Sequence, residues 1–129
     1  MQDNTVTIVG NMTRDCEVKE VSGGIVATFG VAVNRTWTDK ASQERKEQTG
    51  FYDVVVWGDM GANAATTLAR GDRVIVTGRL DFQSWEKDGQ KQSRVQIVAD
   101  DVGPSLKWAT ASIKKAVKKS EKTVLDEDF

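Results

Sequence analysis

A chain of 129 residues, 39 % of them hydrophobic, is long enough for one small domain and a tail. With no histidine and a single cysteine, Cys16, it excludes a histidine-based metal site, a Ser-His-Asp triad and an internal disulfide, and the lone thiol fits a reducing compartment such as the cytoplasm. The net charge of −1 argues against a simple basic nucleic-acid binder, so any such role must come from local clustering of charge.

No basic segment followed by an apolar run opens the chain, and no apolar stretch approaches membrane-spanning length, so neither a signal peptide nor a membrane partner is expected. Thr5–Gly10 reads as a short strand leading into Asn11-Met12-Thr13, and Glu17–Val21 as a second. Cys16, between them, fits a small residue beside a turn better than a nucleophile. Ser22-Gly23-Gly24 is a turn signal. Ile25–Trp37 is the longest β-like run. Ile25, Ala27, Phe29, Val31 and Val33 share one parity, yet Arg35 and Trp37 share it too, which predicts a bulge or kink at Gly30. Thr38–Gln48 is hydrophilic without alternation and reads as a mobile loop, its lysines and arginine balanced by acids.

Phe51–Leu80 is the stretch around which the rest is organised. Residues 51–58 form a strand with Tyr52, Val54 and Val56 on a core face and Phe51, Asp53, Val55 and Trp57 on the other. Asp59 is the expected N-cap of a helix over 60–69, with Met60, Ala64 and Leu68 in one stripe and Gly71 as its left-handed C′ residue. Asp72–Leu80 resumes strand, with Val74, Val76 and Leu80 facing one way and Arg73, Ile75, Thr77 and Arg79 the other. That strand runs on to Trp85. Asp88-Gly89 centres a hairpin turn, Ser93–Asp100 returns as its partner, and Gly103-Pro104-Ser105 breaks it. Leu106–Ala111 fits one more short strand. From Ser112 the chain carries five lysines between Lys114 and Lys122 and ends Leu125-Asp126-Glu127-Asp128-Phe129, a weakly ordered tail. Three or four strands, one short helix, two strands and a tail match an all-β plan: a five-stranded OB-fold barrel with its helix between the third and fourth strands.

Unpaired bases stack on aromatic faces, each contact contributing roughly 1–3 kcal/mol, and phosphates attract Lys and Arg. The sequence interleaves the two. Trp37 follows Asn34-Arg35-Thr36; Phe51 and Trp57 share a strand face, roughly 20 Å apart at about 3.3 Å per residue; Trp85 shares parity with Arg73 and Arg79. Core burial competes as an explanation for each ring. Asp53 on the face of Trp57, and the polar turns bordering Trp37 and Trp85, favour exposure and stacking. Trp108 reads as a packing residue. Arg35, Arg73, Arg79, Lys87, Lys91 and Arg94 are the candidate phosphate contacts. No nucleophile–base pair or metal cluster is visible, so neither catalysis nor a cofactor is expected.

A resemblance sharpens this. Asn4-Thr5-Val6-Thr7-Ile8-Val9-Gly10-Asn11-Met12-Thr13, Asn34-Arg35-Thr36-Trp37, Gln48-Thr49-Gly50-Phe51, Val56-Trp57-Gly58, Leu68-Ala69-Arg70-Gly71-Asp72-Arg73-Val74 and Gly78-Arg79-Leu80 together resemble the bacterial single-stranded DNA-binding protein (SSB) family. Asp101–Ala111 resembles its actinobacterial members. The resemblance covers residues 4–111. It implies an OB-fold homotetramer that wraps single-stranded DNA without sequence preference, serves replication, recombination and repair, and catalyses nothing. It places the family's stacking aromatics at Trp37, Phe51, Trp57 and Trp85, and a strand clasping a neighbouring subunit at 106–111. On this reading residues 1–111 are the DNA-binding and oligomerisation domain, and 112–129 a Lys-rich tail. Asp126, Glu127, Asp128 and Phe129 resemble the acidic tip that docks replication and repair proteins, although no Pro precedes Phe129 and the usual long Gly/Pro/Gln-rich linker is replaced by lysines. Two alternatives stay open: a protein-interaction OB module that binds little nucleic acid, favoured by the near-zero net charge, and an SSB paralogue specialised for natural transformation.

Overall fold

The computed structural model describes residues 4–116. Their order is β1 (Thr5–Met12), β2 (Glu17–Val21), β3 (Gly24–Thr38), β4 (Arg45–Trp57), α1 (Gly58–Thr67), β5 (Arg73–Lys87) and β6 (Gln90–Pro104). The strands hydrogen-bond in the order β1-β5-β6-β4-β3-β2, and a further β1–β3 pairing brings the two sides together. The result is a ring of β1, β3, β4, β6 and β5, with β2 attached outside as the hairpin partner of β3. With the ring strands counted in chain order, the helix follows the third, β4, and precedes the fourth, β5, which is the expected OB-fold plan. All contacts in the ring are antiparallel except β4–β6, where Asp53–Val55 run parallel to Gln96–Val98.

Alternation builds the core. Phe29 and Val31 of β3, Val54 and Val56 of β4, Val74 and Val76 of β5 and Ile97 of β6 point into the ring and are almost fully buried. Removing each such side chain from water contributes roughly 1.5–3 kcal/mol. Ala64 and Leu68 of the helix segment close one end of this core, with Met60 packed against it. At Gly30, β3 changes partners: residues 24–28 pair with β2 and residues 31–32 with β1. A side chain at Gly30 would collide with Thr13 and Arg14, which cross over it. Thr13 N–H donates to the Gly30 carbonyl at this crossing (2.9 Å).

Several expectations are corrected. No bulge interrupts β3 at Gly30, because the β3–β4 register runs unbroken from Val26–Trp57 to Thr38–Arg45. The face turns polar because the hairpin continues past the ring, so its inward parity loses its cover. For the same reason Tyr52 is exposed rather than in the core, whereas Val55, on the outer parity, is buried between Thr28 and Val98. The register shift lies instead in β5–β6 at Thr77/Gly78, where Asp100 has no opposite number. Residues 45–48 are strand, and the loop between the strands shrinks to Asp39–Glu44. A ribbon solvated on both faces has no apolar alternation to reveal it.

The helix begins two residues earlier than expected. Trp57 is its N-cap, with no side-chain capping bond, and Asp59 sits in the first turn, where its carboxylate still complements the helix dipole. Gly71, with φ of +93°, is not a helix C′ residue. It occupies the third position of the turn Ala69–Asp72, closed by Asp72 N–H to the Ala69 carbonyl (3.0 Å), where its positive φ is the one that favours glycine in a type II turn. Gly103 and Pro104 do not break β6 but end it, opposite Ile75 and Val74. Leu106–Ala111 forms no strand; it is irregular and, for most of its length, exposed. The Asp88-Gly89 turn stands as expected, both residues having positive φ.

Candidate nucleic-acid interface

The registers arrange the outer face in rows. Arg79, Val98, Val55 and Thr28 form one across β5, β6, β4 and β3; Asp81, Gln96, Asp53 and Gly30 form the next. On β4, Trp57 flanks the first row and Phe51 the second. Trp57 is 53 % exposed and Phe51 74 %. Trp85, 43 % exposed, lies four residues beyond Asp81 on the same face of β5. Three of the four predicted aromatics therefore share one continuous surface. Trp37, 41 % exposed, lies on the opposite face of the β3–β4 ribbon, paired with Lys46.

Polar groups between the rings are held in place. Gln96 and Gln83 each donate to Asp81 Oδ2 (3.2 and 3.3 Å), and Arg94 donates to Gln83 Oε1 (3.1 Å). This chain of bonds sets the Arg94 guanidinium 5.8 Å from the centre of the Trp85 ring. Arg35 lies 5.3 Å from the centre of Trp37. Such cation–aromatic pairs occupy one face of the ring and leave the other for a base. On the β3–β4 ribbon, Thr49 Oγ1 donates to Asn34 Oδ1 (2.7 Å), tying its strands together.

The remaining predicted cations differ in how they are placed. Lys87 stands at the tip of the β5–β6 hairpin and Lys91 is exposed on β6. Arg79 is paired with Asp100 (3.4 Å), so a phosphate has to compete with a carboxylate there. Arg73 lies at the far end of β5, part-buried, with its guanidinium 4.6 Å from the Trp108 ring and its Nε without a hydrogen-bond partner. Trp108, read as a packing residue, is exposed but covers Arg73 and lies 5.0 Å from Lys107 Nζ. A cleft of about 470 Å³ opens beside this pair, away from the other aromatics.

Two residues escaped the sequence reading. Arg14 crosses Gly30 and pairs with Asp53 (3.7 Å), which places a cation between Phe51 and Trp57. The only hint was a glycine in the middle of a long strand. Phe82, 74 % exposed, lies on the opposite parity from Trp85 and was hidden by its match to the core face of β5. Cys16 is part-buried against the core, and burial, followed by the neighbouring Asp15 carboxylate, raises its thiol pKa above the ordinary value, as suits a packing role. Among the described residues no group of His, Cys, Asp or Glu is placed to hold a metal, and no helix is long and apolar enough to cross a membrane. Asp126, Glu127, Asp128 and Phe129 lie outside the described residues.

Residues 3–105 match the model of the single-strand binding protein family. The chain belongs to that family. Among its relatives, the single-stranded DNA-binding protein of Mycolicibacterium smegmatis is 43 % identical over 117 residues, spanning 88 % of this chain and 71 % of the relative. That of Paenarthrobacter aurescens is 38 % identical over 116 residues, spanning 88 % and 68 %. The kinship with actinobacterial members expected from Asp101–Ala111 is thus found. Among solved structures, a Plasmodium falciparum SSB in complex with ssDNA superposes with a TM-score of 0.75 at 26 % identity, covering 81 % of this chain and 97 % of that one. A small single-stranded DNA-binding protein from Streptomyces coelicolor gives 0.69 at 28 % identity, covering 82 % and 97 %. Both likenesses carry the OB-fold.

Proposed function

We propose that this family member binds single-stranded DNA without sequence preference and protects it during replication, recombination and repair. The observation that carries the reading is the outer face itself: Phe51, Trp57 and Trp85 stand exposed on one surface, with Arg94 beside Trp85 and Arg14, for which a phosphate has to compete with Asp53, between the other two. Every base has a π-face, so such a surface holds a strand whatever its sequence. Trp37 with Arg35 extends the path around the β3–β4 ribbon, and Lys87, Lys91 and Arg79 supply further phosphate contacts. Arg73, covered by Trp108, is the weakest of the predicted contacts. Nothing in the role requires catalysis.

The reading extends to a cytoplasmic homotetramer. Leu106, Trp108 and Ile113 are exposed apolar side chains on the irregular segment after β6, which suits a segment that packs on a neighbouring subunit. The Asp126–Phe129 tip combines acids with an apolar ring, a composition suited to a basic pocket on a replication or repair protein.

The test is quenching of intrinsic tryptophan fluorescence by oligothymidylate, repeated with mixed-sequence single strands and with duplex. Similar quenching by all single strands and little by duplex is expected. No quenching by any single strand would leave the protein-interaction reading in its place.

A further inference from the structure

The β5–β6 ribbon has two faces, and the interface described above uses one of them. Beyond Arg79 and before Gln96 its strands pair only with each other, so residues 80–95 stand clear of the ring. One face carries Trp85, Gln83 and Arg94. The other carries Phe82 opposite Val95, Ser84 opposite Ser93 and Glu86 opposite Lys91. On this second face Phe82 is 74 % exposed, more than Trp85, and Val95 and Leu80 are also exposed. Lys91 is exposed and, among the described residues, forms no ion pair. A phenylalanine this open on a strand contributes only its cross-strand contact with Val95 to the fold.

We propose that Phe82 is a fifth base-stacking residue and that single-stranded DNA passes over the edge of the ribbon from Trp85 to Phe82, with Lys91 receiving a phosphate. The inference rests on the DNA-binding reading and extends it to a second face. Three arguments select a polynucleotide as the occupant. The face is continuous with the Trp85 surface through a ribbon only one sheet thick. It repeats the composition of that surface, one ring and one cation, with the small Ser84–Ser93 pair leaving the ring open on the side toward the hairpin tip. Finally, the apolar area amounts to Leu80, Phe82 and Val95, far below the roughly 20–30 residues a side of a stable protein interface. Glu86 opposes Lys91, so the ring contributes more than the charge does.

The test compares the full chain with its Phe82→Ala, Phe82→Trp and Trp85→Ala variants, titrated with fluorescein-labelled oligothymidylates of increasing length. Trp85→Ala weakens binding at every length. Phe82→Ala leaves the shortest oligomers unaffected and weakens long ones about 5- to 150-fold, the range set by one lost stack. Phe82→Trp restores the affinity and adds a quenchable ring. Photo-crosslinking with a 5-iodouracil strand labels the peptide containing Phe82 in the wild type. Unchanged binding of Phe82→Ala at all lengths, with Trp85→Ala impaired, overturns this inference alone. A Phe82→Ala variant that changes mass by light scattering while keeping its DNA affinity overturns it in favour of a contact between copies. A wild type that binds no oligothymidylate overturns the DNA-binding reading together with this extension.

Discussion

Replacing Trp57 by alanine separates a binding residue from a core residue within one variant. Trp57 is 53 % exposed and lies opposite Val26 across the β3–β4 pair. Full burial of a large apolar side chain contributes about 1.5–3 kcal/mol, so the half that Trp57 buries is worth about 1 kcal/mol. Its position as helix N-cap adds little, because it makes no side-chain capping bond that alanine would lose. Trp57→Ala should therefore lower the melting temperature by only a few degrees. The lost stack should weaken oligothymidylate binding by roughly 1–3 kcal/mol, or about 5- to 150-fold. Thermal melts followed by circular dichroism and anisotropy titrations on the same preparation measure both. A loss of stability of about 3–5 kcal/mol, typical of a truncated core aromatic, with unchanged affinity would refute the assignment.

Phe29→Ala is the converse control: Phe29 is fully buried in the ring, and its truncation should cost about 3–5 kcal/mol in denaturant unfolding. The logarithm of the single-strand binding constant should fall with the logarithm of salt concentration at a slope near −0.7 per phosphate neutralised, and a flat chloride titration would count against the arginine and lysine contacts. Light scattering at micromolar concentration should report a tetramer, and removal of residues 105–129 should lower its assembly stability while leaving the ring folded; a monomeric full-length chain would refute this. Removal of residues 125–129 should slightly tighten DNA binding at low salt and abolish capture of replication and repair proteins, and an identical set of captured partners would show that the tip is not the docking element.

The alternation of Val54 and Val56 against Phe51, Asp53 and Trp57 was legible because β4 is half-buried, and half-burial writes a two-residue period into the sequence. The same rule failed where the ribbons leave the ring. Residues 45–48 carry no apolar period because water lies on both sides of them, and Phe82 carries the core period without the core. Charge partners were illegible for a different reason. Arg73 meets Trp108, Arg79 meets Asp100 and Arg14 meets Asp53 across strand pairings and chain crossings that no local spacing encodes. Phe51, Trp57 and Trp85 could thus be read in advance and Phe82 could not, whereas the availability of each cation became visible only in the folded chain.

The way the ring closes also bears on how the protein is made. β1 is synthesised before the other strands of the ring, but Thr5 pairs with Arg79, 74 residues on, and the parallel β4–β6 contact waits for Gln96–Val98. Such distant pairings carry a high loop-closure cost and slow folding. Until β5 arrives, β1 has only its brief contact with β3, and the edge that β5 will cover remains open. During synthesis that edge is a template for pairing with another nascent chain. The early hairpin of β2 and β3, local in sequence, is the part of the sheet able to form first. Destabilising substitutions in β5 or β6 should therefore show themselves as aggregation during expression before they show as lost DNA affinity in the purified protein.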